Sequence, residues 1–162
     1  MDDRAVVALQ IGREPRAFRR VAVRCPFGLP AVTEQEPFDS AGQPFPTTYY
    51  LTCPHLVAAV SRLEAAGGVE RWTEAAAADP VLAESLRGAN EEQRRVRREL
   101  AGERDDPSLD RGIGGAGRHG SLKCLHAHVA FALARPGYEL GDQILAQVAD
   151  PWPADRCCTE LT

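Results

Sequence analysis

The stretch FRRVAVRC, residues 18–25, sets valine against arginine with a period of two, the pattern of a strand that buries one face. Val21 and Val23 fall on one side and the arginines mostly on the other. The turn PFGLP follows, and then AVTEQ, residues 31–35, and TTYYLTC, residues 47–53, which is rich in β-branched and aromatic residues. The loop PFDSAGQPFP, full of turn formers, lies between those two strand candidates. From residue 54 onward the apolar spacing turns helical. Strands first and helices afterwards give an α+β fold, with a small antiparallel sheet near the N-terminus packed against several helices.

A short helix precedes the sheet over DDRAVVALQIG, ending at Gly12. In TCPHLVAAVSRLEAAGG, Thr52 or Cys53 caps, Pro54 takes the first helical position, and Leu56, Val60 and Leu63 form the buried stripe. VERWTEAAAA and DPVLAESLRGANEEQRRVRRELAG follow, the second capped by Asp79 and solvent-facing in its charged latter half. ERDDPSLDRGIGGAGRHG, residues 103–120, combines charge with five glycines and reads as a mobile loop. It carries neither a Walker pattern nor a G-x-G-x-x-G fingerprint behind a strand, so a phosphate cradle finds little support. SLKCLHAHVAFALA is a helix capped by Ser121, and LGDQILAQVA is the last helix. Residues 1–150 are expected to form a single domain and residues 151–162 a C-terminal tail.

At 162 residues with 44% hydrophobic content, the chain can bury one core without covalent staples. No apolar run is long enough to cross a bilayer, and MDDRAVVALQ lacks the features of a signal peptide, so a soluble cytoplasmic protein is expected without membrane insertion. The net charge of −4 disfavours nucleic-acid binding by the chain as a whole. Residues 1–24 nevertheless carry six arginines against three acids, which leaves a phosphate-binding face or a salt-bridged one as readings of that segment.

Five cysteines in a chain read as cytoplasmic argue against a disulfide framework. Cys25, Cys53 and Cys124 each stand where one element meets the next. Cys53 at a helix cap and Cys124 in a first helical turn would sit at the positive end of a helix dipole, which favours thiolate. His128, four residues after Cys124, would share its helix face, whereas His126 can join Cys124 only through irregular backbone. Cys25, Cys53 and Cys124 with one histidine, or with Cys157 from the tail, suit tetrahedral zinc, and three thiolates suit an iron–sulfur cluster. Three competing readings stand beside this one: a metal-free cysteine-dependent enzyme with His126 or His128 as base, a phosphate- or nucleic-acid-binding adaptor, and cysteines that are small buried hydrophobes.

QIGREPR, RCPFGLPAV, PFPTTYYLTCPHL, RLEAAGG and KCLH, in that order, resemble the bacterial domain-of-unknown-function family numbered 501. The resemblance implies a small bacterial cytosolic protein without an established activity, encoded near enolase, a septum-formation protein and an exopolyphosphatase-like protein. A partner in cell division or phosphate metabolism is therefore an expectation. It also implies that Cys25, Cys53, Cys124 and His126 form one set. The family pattern carries a further histidine where this chain has Phe131, so a ligand lost there would have to be replaced by His128 or the tail cysteines.

Overall fold

A computed structural model describes residues 2–117, 122–148 and Trp152. Helix α1 (Asp3–Ile11) starts where Asp2 accepts a hydrogen bond from the Ala5 N–H at 2.8 Å and stops at Gly12 in the left-handed conformation. Strands β1 (Phe18–Arg24), β2 (Pro30–Gln35) and β3 (Tyr49–Leu51) form an antiparallel sheet in the order β1-β2-β3. Every residue of the central strand β2 is buried.

Burying β2 whole brings Glu34 inside, and its carboxylate is satisfied by Arg20 at 2.8 Å and Arg19 at 3.1 Å. The arginines of the N-terminal segment are spent in the same way. Arg4 meets Glu14, Arg16 meets Asp39, Arg24 meets Asp3, and Arg13 donates to the Tyr50 hydroxyl. Carboxylates thus already occupy most of the face that a phosphate would need.

The helices follow in chain order: α2 (Pro54–Ala65), α3 (Gly68–Ala78), α4 (Pro80–Ala101), α5 (Leu125–Ala134) and α6 (Glu139–Ala146). The cap at Asp79 forms as its sequence suggests, with the side chain accepting from the Val81 N–H at 2.9 Å. Ion pairs among Glu84, Arg87 and Glu91 and among Glu92, Arg95 and Glu99 lace the solvent face of α4, while Gln93, Val96 and Arg97 are buried. Residues 103–117 are more ordered than their composition implies. Two 3-10 turns, Pro107–Asp110 and Ile113–Gly115, bury Leu109 and Ile113 and are tied to α4. Gln93 donates to the Gly112 carbonyl and Asn90 accepts from the Ile113 N–H.

Helix α5 begins at Leu125 with Cys124 as its cap, so it starts later than a cap at Ser121 would set it; Ser121 lies outside the described residues. LHAHVAFALA is apolar all round because β3, α2 and α6 surround it. No helix among the described residues is long and apolar enough to cross a membrane.

His128 is enclosed by this packing. Its Nδ1 lies 2.7 Å from the Tyr138 hydroxyl at the start of α6, and its Nε2 lies 3.2 Å from the Leu122 carbonyl. A carbonyl only accepts, so Nε2 carries the proton and Nδ1 accepts from tyrosine. Burial pushes the imidazole down to about 4 from its ordinary 6.5. A depressed pKa means that the unfolded chain binds the proton more tightly. The stability this group contributes is therefore complete above about pH 6.5 and is lost as pH falls towards about 4. Urea titrations should show about 2 kcal/mol of this loss between about pH 7.5 and about pH 5, and a shallower loss in His128→Gln. Equal losses in the two proteins would contradict a neutral buried imidazole.

Candidate functional site

The entry into α5 is irregular, and that irregularity builds the site. Lys123 has a left-handed backbone, φ +60, and Cys124 is extended, φ −149 and ψ 118, before the helix turns at Leu125. Two residues apart on a regular helix, Cys124 and His126 would diverge; with Cys124 outside the helix they meet, Sγ lying 3.7 Å from His126 Nδ1. The same extended backbone removes the i, i+4 relation between Cys124 and His128, and His128 stays in the core with Tyr138. Gly114, φ +70, lets the second 3-10 turn press against this corner, where an added Cβ would sit 3.3 Å from the Ala127 Cβ.

Helix α2 supplies the other wall. Glu64, near its C-terminal end, accepts the Leu125 N–H on Oε2 at 2.7 Å, a cap for α5 provided by a different helix. Its Oε1 lies 3.2 Å from His126 Nδ1. The far nitrogen, His126 Nε2, lies 3.1 Å from both the Val57 carbonyl and the Ser61 hydroxyl. The ligand atoms of Glu64, Cys124 and His126 fall within 4.8 Å of one another, the group of possible metal ligands that the described residues bring together. All three residues are half-buried.

The His126 pKa is raised, first by the hydrogen bond to the Cys124 sulfur and further by the charges of Cys124 and Glu64, with burial opposing. The arrangement is not that of a catalytic triad. There, nucleophile and carboxylate address opposite ring nitrogens; here both address Nδ1, and Nε2 is turned to a main-chain carbonyl. Three donors aimed at one point, with the second imidazole nitrogen anchored on a carbonyl, suit a cation.

Of the residues expected in the site, Cys124 and His126 are brought together. Cys25 is buried in the β1–β2 turn, where its N–H donates to the Leu29 carbonyl, and Cys53 is buried as the cap residue of α2. Neither thiol belongs to the Glu64–Cys124–His126 group, and no disulfide joins the three cysteines. Cys157 lies outside the described residues. Glu64 is the member of the group that sequence reasoning passes over, although it sits inside RLEAAGG, one of the segments that carry the family resemblance.

The site opens on a pocket of about 710 Å³ between β3, the flank of α2 and the start of α5. Thr52, Val57, Ser61 and Gly114 line it beside Cys124 and His126. A family model described as "Protein of unknown function (DUF501)" matches residues 21–146, a span that includes every residue of the site. No curated protein and no solved structure matches the chain.

Because Glu64 joins α2 to α5, Glu64→Ala should cost about 1–2 kcal/mol in urea denaturation, the usual cost of a lost cap. Glu64→Gln keeps an acceptor for the Leu125 N–H and should cost less. Equal costs would show that the cap is not what the carboxylate contributes to stability.

Proposed function

The chain belongs to the DUF501 family, and on that premise we propose that it is a metal-binding protein in which Cys124, His126 and Glu64 hold one zinc ion. The observation that carries this reading is the orientation of His126. The Val57 carbonyl can only accept, so Nε2 bears a proton, and Nδ1 is the nitrogen turned to where the sulfur and the carboxylate converge. With Nδ1 unprotonated, a cation between it, the carboxylate and the sulfur would answer all three donors at once. One thiolate, one imidazole and one carboxylate are an ordinary zinc set with three protein ligands, which leaves a fourth position for water or substrate. An iron–sulfur cluster draws on several thiolates, and the gathered group offers one.

Bound zinc would supply Lewis-acid polarisation or an activated water at the open position. The chain's own contribution is to hold the ligands. Glu64 is fixed by the Leu125 N–H, and His126 by Val57 and Ser61.

The raised His126 pKa favours a second reading, in which a proton rather than a metal occupies the same point and Cys124 is a reactive thiolate paired with imidazolium. Metal and acid-labile sulfide analysis of protein purified without oxygen or chelator separates the two readings. The zinc reading expects stoichiometric zinc without sulfide, lost in Cys124→Ser and in His126→Ala. Folded, metal-free wild-type protein contradicts it. Selective alkylation of Cys124 at neutral pH, ahead of the buried Cys25 and Cys53, would then support the thiolate.

A further inference from the structure

The pocket's chemistry says what the open position receives. Its volume, about 710 Å³, falls in the usual range for small-molecule sites. Ile11, Leu51, Val57 and Ala127 give it apolar walls, and no lysine or arginine stands among its described lining residues. A divalent ion bound by one thiolate and one carboxylate has no charge left over. Neither metal nor wall therefore compensates an anion such as phosphate, whose desolvation would go unrepaid.

Two polar features remain. Thr52 lines the pocket and is 1% exposed, yet its hydroxyl has no hydrogen-bond partner among the described residues. A buried hydroxyl left unpaired is costly, and a ligand polar group removes that cost. The other feature is the outer edge of β3. The Gln35 N–H donates to the Thr48 carbonyl and the Thr52 N–H to the Ala31 carbonyl, so the even-numbered residues of this segment bond to β2. By the alternation of an antiparallel pair, the main-chain N–H and C=O of Tyr49 and Leu51 face away from β2, and both residues line the pocket. Paired N–H and C=O groups along a strand edge match an amide.

Resting on the zinc site proposed above, we infer that this pocket binds an uncharged, amide-bearing small molecule, with its carbonyl directed to the Cys124–His126–Glu64 centre and a second polar group on the Thr52 hydroxyl. The full chain loaded with cobalt(II) tests this through its visible absorption, with benzamide as the uncharged amide probe and inorganic phosphate as the anionic one. Benzamide should shift the cobalt bands saturably, about tenfold more weakly in Thr52→Val and as in the wild type in Thr52→Ser. Phosphate should leave the bands in place. A shift by phosphate at equal or lower concentration than benzamide would overturn the inference, whatever the fate of the variants. So would undiminished binding by folded Thr52→Val. If the protein acquires no cobalt bands at all, the metal site itself falls and the inference with it.

Discussion

A single carboxylate decides how α5 starts. Glu64, carried on α2, accepts the first N–H of α5 and with its other oxygen faces His126. A helix start needs acceptors for its orphan N–H groups, and Cys124 at the cap position makes no side-chain hydrogen bond of that kind. Taking the acceptor from another helix fixes α5 against α2 and places a negative charge at the positive end of the helix dipole. It also brings a carboxylate, an imidazole and a thiol together at one edge of the pocket, which Cys124 and His126 line.

That edge sets a carboxylate and a thiol against one imidazole nitrogen. Leu125 is entirely buried beside it, while Glu64, Cys124 and His126 themselves are half-buried. The Val57 carbonyl holds the imidazole in one orientation, and the left-handed Lys123 turns Cys124 out of the helix towards that imidazole. Backbone in a sparsely populated conformation next to converging donors is the kind of arrangement that functional sites retain. A proton on His126 and a divalent ion held at the same point are the two ways the proposed readings answer the Glu64 carboxylate.

Much of the fold was legible in local pattern. The alternation at Val21 and Val23, the aromatic β3 segment, Pro54 behind Cys53 and Asp79 before Pro80 each mark an element that forms. What local pattern hid was set by distant partners. Residues 103–117 read as mobile because charge and glycine dominate them, but α4 reaches across to their main chain through Asn90, Gln93 and Arg97. For the same reason the start of α5 was misplaced: its acceptor, Glu64, is 61 residues away in sequence. The expected set of three cysteines rests on their shared position at junctions; the gathered group holds Cys124 with Glu64 and His126, while Cys25 and Cys53 are buried in the β1–β2 turn and at the cap of α2. Cys124 and His126, which meet through irregular backbone as their spacing requires, are the members of the group legible in the sequence.

X-ray absorption at the zinc edge tests the central claim most directly, because it counts sulfur neighbours. The account predicts one sulfur at about 2.3 Å and nitrogen or oxygen neighbours at about 2.0–2.2 Å. Two or more sulfur neighbours would contradict it, because a thiol from outside the Glu64–Cys124–His126 group would then hold the ion.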